Sequence, residues 1–200
     1  MLERIVMGTA NWAKEYNGHK VSEKEQQLIM EYMKEIGIEW LDVATAYGTE
    51  DIGKDDFRRI IKTDSRKEHW QVSDDIHLGH HCWQESGISI DSVAEISLAD
   101  GLPMWIEFPY SIVNRNKAIM MLSGLRGFIA RSIFCKGKAL KYFSPQACID
   151  FVLMNPRIDK VIIGVDSADQ LRQNVAHLVK MEKFTHNEEV DTRKFERKDL

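Results

Sequence analysis

Short apolar runs rich in β-branched and aromatic residues alternate along this chain with longer segments of helical period. Residues 5–10 read as a strand. Ser22 opens a helix that runs to about Ile36, and Glu25, three positions on, completes a capping box. Leu28, Ile29, Tyr32, Met33 and Ile36 form its apolar face, and Gly37 stops it. The pattern then predicts a strand over 38–44, a helix over 51–61 and a short, polar third strand over 69–73. Further strands are expected over 87–89, 104–108, 127–133 and 160–165. Helices are expected over 91–98, 116–122, 145–154 and 167–178.

Strand and helix in repeated alternation mean parallel βαβ units with right-handed crossovers. Seven or eight such units suit a (β/α)8 barrel or an open doubly wound sheet. The open sheet usually carries a glycine-rich turn after its first strand. Gly8-Thr-Ala-Asn-Trp12 lacks that pattern, which favours the barrel. Residues 1–182 are expected to form it. Residues 183–200, dense in charge and poor in apolar side chains, read as a tail that is frayed or lies on the barrel as an extra helix.

Composition changes this picture little. The chain has 200 residues, 44% hydrophobic and 29% charged, which suits one globular domain and excludes collagen-like and low-complexity classes. The formal charge of −4 gives no broad basic field for nucleic acid or an anionic membrane. No apolar run reaches the roughly 18 residues needed to span a bilayer, and the first residues lack a signal-peptide pattern. A soluble, cytoplasmic protein is expected. Cys82, Cys135 and Cys148 are odd in number, widely spaced and without zinc-site spacing, so they read as reduced thiols and no metal is expected.

Five segments, in order, resemble the aldo-keto reductases, a family of (β/α)8 barrels that use a nicotinamide dinucleotide. They are Gly8-Thr-Ala-Asn-Trp12 with Tyr16-Asn-Gly; Leu41-Asp-Val-Ala-Thr-Ala-Tyr-Gly-Thr-Glu50; Trp105-Ile-Glu-Phe-Pro-Tyr-Ser-Ile-Val-Asn-Arg115; Ala130-Arg-Ser-Ile-Phe-Cys-Lys-Gly-Lys-Ala-Leu140; and Val161-Ile-Ile-Gly-Val-Asp-Ser-Ala-Asp-Gln-Leu-Arg-Gln-Asn174. The resemblance implies NAD(P)H-dependent reduction of a small carbonyl compound, with NADPH or NADH as cofactor. Asp42 and Tyr47 match the family's catalytic Asp and Tyr. Ser89 matches the serine that holds the nicotinamide amide, and Glu107 stands where the family has Gln. Arg131, Ser132 and Gly137 fall in the segment similar to the pyrophosphate loop. Gly164, Ser167, Gln170 and Asn174 match the closing motif at the adenosine end. Ser167 also has a plain reading as a helix N-cap. Asp166 beside it would repel a 2′-phosphate, which weakens a preference for NADPH.

Family barrels are normally much longer, and the shortfall lies between the second helix and Gly87. A barrel truncated or incomplete around strands 3 and 4 is therefore expected, with an open edge that a second copy or another protein would cover. The same region should supply the cation that stabilises a tyrosinate, since a phenol is a poor acid at neutral pH without one. Two placements compete. In one, residues 60–63 belong to the third strand and Lys62 is the catalytic cation. In the other, Lys62 shares an exposed helical face with Arg58 and Arg59, and Asp74 or Asp75 falls at the cationic position. The spacing from Tyr47 favours the second. His77, His80 and His81 lie where a fourth strand is expected, most simply as residues of the barrel rim. On this reading catalysis is weak or lost. The alternative to an enzyme is an inactive member of the same fold serving as a binding or assembly module.

Overall fold

Alternation of side chains between two faces explains how the strands close. On β2 (Trp40–Ala44), β3 (Arg58–Thr63) and β6 (Trp105–Pro109), the positions in step with Trp40, Ile60 and Trp105 are those of Asp42, Lys62 and Glu107. Val6, Trp40, Ile60, Ile76, Leu78, Ile129 and Ile162 form one buried cluster, with Trp105 packed against it. They come from β1 (Ile5–Gly8), β2, β3, β4 (Ile76–His80), β7 (Gly127–Arg131) and β8 (Lys160–Ile163), and they fill the barrel interior. The intervening positions, such as Ile5, Met7, Leu41 and Val43, join the outer core. With β5 (Gly87–Ser89), the eight strands pair in parallel in chain order, and β8 returns to β1. The computed structural model describes residues 1–16, 18–64, 75–80, 86–96 and 104–188, the last six as backbone only.

The barrel floor is set by bulky aromatics. Arg58 and Lys160 lie over Trp40, at 4.3 and 4.2 Å from the ring centre. Trp105 leaves no room for a side chain at Gly127, where a Cβ would fall 2.4 Å from the indole.

The helical layer is uneven. α1 (Glu23–Ile36), α3 (Pro145–Leu153) and α4 (Ala168–Glu188) are full helices. Ser22 caps α1 by accepting from the Glu25 N–H, and Ser144 caps α3 through Ala147. Their apolar faces bury Ile29, Met33, Ile149, Val152, Leu171, Val175 and Leu178 against the strands and one another. On the other side, α2 (Lys117–Met120) is a single turn. The helix expected over 91–98 is a three-residue turn at Val93–Glu95, with residues 97–98 outside the described part.

Three expectations are corrected. The helix expected over 51–61 does not form: consecutive turns lead into β3, with Phe57 donating to the Gly53 carbonyl. The third strand is therefore 58–63 rather than 69–73, which lies outside the described residues. The sheet is not incomplete around strands 3 and 4: all eight strands close, so the described strands leave no open edge for a partner to cover. Only residues 81–86 lie between β4 and β5 in the chain. α4 runs from Ala168 to Glu188. No described helix is long and apolar enough to cross a membrane.

Candidate active site

The carboxyl ends of the strands open into a cavity of about 1020 Å³, at the upper end of ligand pockets, which run from about 300 to 1,000 Å³. It is the face on which barrels of this kind carry their sites. Asp42 from β2, Lys62 from β3, Ser89 from β5, Glu107 from β6 and Arg131 from β7 all line it. Tyr47 reaches it from the turn Thr45–Tyr47 after β2, a turn closed by the Gly48 N–H on the Thr45 carbonyl. The Thr49 hydroxyl anchors the same loop: it accepts from the Ala44 N–H and from the Thr9 hydroxyl.

Lys62 is the centre of the arrangement. Its Nζ lies 2.7 and 2.8 Å from the two Asp42 oxygens and 3.0 Å from Glu107 Oε1. It also sits 5.3 Å from the centre of the Tyr47 ring. The placement of Lys62 on an exposed helical face is thus overturned: Lys62 is buried inside the barrel, with Asp42 and Glu107. Asp75 plays a different part. It accepts from the Arg59 N–H and guanidinium and so holds β3 at the foot of β4. Asp74 lies outside the described residues.

Glu107 Oε1 is shared further. It accepts from the Ser89 hydroxyl at 3.1 Å and lies 3.4 Å from Arg131 Nε. The Arg131 guanidinium also donates to the Ile90 carbonyl and to Asp91. The second Glu107 oxygen, buried at the cavity floor, has no hydrogen-bond partner among the described residues.

Charge and burial compete at each group. Burial raises the Asp42 carboxyl pKa, Lys62 lowers it and Glu107 raises it, and the outcome is a value pushed up to about 7. Burial works against the Lys62 ammonium, but Asp42 and Glu107 outweigh it and hold the pKa above its ordinary value. For Tyr47 the largest influence is Lys62, which lowers the phenol pKa. Burial together with Asp42, Glu107 and Tyr16 overcomes it, so the net shift is upward.

The remaining positions divide. Ser132, Gly137, Gly164, Gln170 and Asn174 line the cavity together with Ser89, Glu107 and Arg131. Ser132, Cys135 and Lys136 hold positive φ (56°, 51° and 55°), a conformation non-glycine residues adopt mainly where a site requires it. Ser167 does not line the cavity; its hydroxyl accepts from the Gln170 N–H, as a helix cap does. The start of α4 is largely satisfied from within the chain. Glu25 accepts from the Ala168 N–H, and Gln170 Oε1 accepts from the Asp166 N–H. His80, at the end of β4, lines the mouth and pairs with Asp64. His77 is buried, and His81 and Cys82 lie outside the described residues. Asn11 and Asp91 also line the cavity. Neither was singled out from the sequence, where Asp91 read as the start of a helix and Asn11 as part of a turn.

Comparison with solved structures agrees with this fold. A protein of Pseudomonas aeruginosa assigned to the aldo-keto reductases superposes with a TM-score of 0.60 at 14% identity, over 87% of this chain and 88% of that one. The chain has the aldo-keto reductase fold. An aldo-keto reductase enzyme from a Medee basin deep-sea metagenome library gives 0.57 at 13% identity, over 85% and 83% of the two chains. A thermostable aldo-keto reductase solved with the inhibitor epalrestat gives 0.56 at 13% identity, over 87% and 89%. No family model and no curated protein sequence matches the chain.

The site of this aldo-keto reductase fold suits a nicotinamide dinucleotide. The cavity is large enough, and the buried Glu107 oxygen offers an acceptor to a ligand N–H. A Cβ at Gly164 would meet no atom within 4 Å, so the chain itself leaves that wall open.

Proposed function

We propose that this chain reduces a small carbonyl compound with NADPH or NADH, and does so slowly. The observation that carries the reading is the placement of Lys62, buried between Asp42 and Glu107 and beside the Tyr47 ring. Ser89, Glu107, the 132–137 loop, Gln170 and Asn174 would hold the dinucleotide. When bound, that group supplies the hydride.

The chain supplies the rest. Tyr47 gives the proton of its hydroxyl to the carbonyl oxygen as negative charge develops there. Lys62 stabilises the tyrosinate left behind, and Asp42 fixes the ammonium in place. The floor excludes water because Lys62, Asp42 and Glu107 are all buried. Turnover is slow because two buried carboxylates, Asp42 and Glu107, offset the charge of the ammonium on which the tyrosinate depends.

The test is NAD(P)H consumption with a generic aromatic aldehyde. Wild type is expected to turn over, and Tyr47→Phe to lose about 10²–10⁴-fold in rate. Dinucleotide binding, followed by tryptophan fluorescence, should be unchanged in that variant. Wild type at background with dinucleotide bound would favour the second reading, a binding or assembly protein of the same fold. The two buried carboxylates that share the Lys62 ammonium are the observation on that side.

A further inference from the structure

We propose that Glu107 is a positioning residue that restrains this site. It shares the Lys62 ammonium with Asp42 and so weakens the cation on which Tyr47 depends, and its replacement by Gln makes the protein a faster carbonyl reductase. The second half rests on the function proposed above.

The geometry is that of one ammonium between two carboxylates. Nζ is 3.0 Å from Glu107 and 2.7 Å from Asp42, and all three side chains are 5% exposed or less. Asp42 alone would hold Lys62 in place, because it approaches with both oxygens. Glu107 is therefore not needed as an anchor for the ammonium. It is itself fixed, by the Ser89 hydroxyl and beside Arg131, so it cannot turn away from Lys62. A buried negative charge at that distance offsets the field of the cation wherever a tyrosinate forms.

The groups acting on Tyr47 come from every side of the barrel mouth. Lys62 on β3 favours the tyrosinate, whereas Asp42 on β2, Glu107 on β6 and Tyr16 in the loop after β1 oppose it. Arg131 on β7 interacts with Tyr47 as well, but it is engaged with Glu107 and Asp91. Of the opposing groups, Glu107 is the buried one that Lys62 can lose while keeping an anchor. In the step affected, a hydride from the dihydronicotinamide forms the new C–H bond. The Tyr47 O–H bond breaks, its proton forms the product hydroxyl, and the tyrosinate regains a proton from water. Only the stability of that tyrosinate is at issue.

Glu107→Gln keeps the shape and an acceptor for Lys62 and Ser89 while removing the charge. Tyr47 is isolated by subtracting the near-ultraviolet titration of Tyr47→Phe from that of the parent, in each background. The Gln variant should lower the Tyr47 pKa by about one unit and raise kcat at pH 7 several-fold, with KM moving less. Glu107→Met, also uncharged and of similar length, must shift Tyr47 in the same direction. In Glu107→Gln with Lys62→Met, the gain in kcat should vanish, since the tyrosinate then has no cation beside it, while part of the Tyr47 shift should remain because Glu107 also acts on Tyr47 directly. An unshifted Tyr47 in a wild type that turns over would overturn the proposal and leave the enzyme reading standing. A shifted Tyr47 with no turnover in any variant would support the hold on Lys62 and overturn the carbonyl-reductase reading.

Discussion

One side of the barrel, β7–β8–β1–β2, is clad by α1, α3 and α4, whereas β3 to β6 carry short turns and one four-residue helix among the described residues. The clad side buries its outer face as such barrels usually do, with apolar helix faces on apolar strands. The bare side relies on other devices. Phe57 folds back over the strands after a tight turn, and Arg59 ties β3 to Asp75 and to the Glu50 carbonyl. The contrast shows that closure of the sheet and thickness of the helical coat are separable. Ladder bonds and the inner packing of Trp40, Ile60, Leu78 and Trp105 close the barrel. The site draws on both sides, Asp42 and Tyr47 from the clad one and Lys62, Ser89 and Glu107 from the bare one, so it survives the shortening.

The sharpest way to break the comparison is at the seam. Lys62→Met leaves Asp42 and Glu107 facing each other without their cation. Removing one member of a buried charge group costs about 3–5 kcal/mol. Aldehyde reduction should be lost and the urea midpoint should fall strongly at pH 7.5. The deficit should shrink toward pH 5, where a proton on Asp42, whose carboxyl is already pushed up to about 7 in the parent, relieves the repulsion. A midpoint equal to wild type at both pH values would mean that the seam holds without Lys62.

Next comes a direct test of the two sides. Ile149, fully buried in α3, should cost about 2–5 kcal/mol when cut to Ala. On the bare side, Arg59→Leu removes the guanidinium from Asp75 and should cost about 1–3 kcal/mol. Urea unfolding of both variants decides it. If Arg59 proved the dearer loss, the ionic clip would hold its side as firmly as the helices hold theirs.

The same contrast marks how far the sequence could be read. On the clad side, Ser22, Gly37 and the period of Leu28, Ile29, Tyr32 and Met33 define α1 to within a residue. There the helix has an apolar face because it has something to cover. On the bare side, Arg58, Arg59 and Lys62 mimic an exposed helical face at i, i+1 and i+4. In the barrel they alternate instead: Arg58 and Lys62 face inward, with Arg58 over Trp40, and Arg59 faces out toward Asp75. A strand whose inner end is polar breaks the apolar run that signals a strand. One clue was available. Gly53 stands in the first turn of the helix expected over 51–61, yet it adopts φ of 66°, and a Cβ there would fall 2.4 Å from Leu41. It marks a turn. Asp42 and Tyr47 were legible from their motif. The hold of Glu107 on Lys62 was not, because it depends on which residues of β3 and β6 share the inner face.

The titration of Asp42 probes the same seam from the clad side. Its pKa in the fold, about 7, lies above the ordinary carboxylate value of 3.8, so the folded state binds the extra proton between those limits. Stability therefore falls as pH rises from about 4 to 7 and gains nothing from this group above that. Asp42→Asn should flatten that part of the stability–pH curve measured by urea unfolding. An unchanged slope would place the titration elsewhere in the cluster.

The smallest effect belongs to the clad side, at the start of α4. Ser167 falls in a segment whose resemblance implies a cofactor contact, yet its hydroxyl is turned to the Gln170 N–H at 3.3 Å and does not line the cavity. Asp166 and Gln170, its neighbours, do line it. A cap of this kind is worth about 1 kcal/mol. Ser167→Ala should therefore lower stability by about that much and leave NADH and NADPH affinities, read by tryptophan quenching, within roughly twofold of wild type. The two readings separate cleanly, because a ligand contact and a helix cap predict opposite outcomes. A tenfold loss of affinity with unchanged stability would make Ser167 a binding residue and the cap incidental. Stability lost with affinity kept would show that α4 is held at this end by Ser167 and Glu25, and that the dinucleotide takes its grip from the 132–137 loop across the cavity.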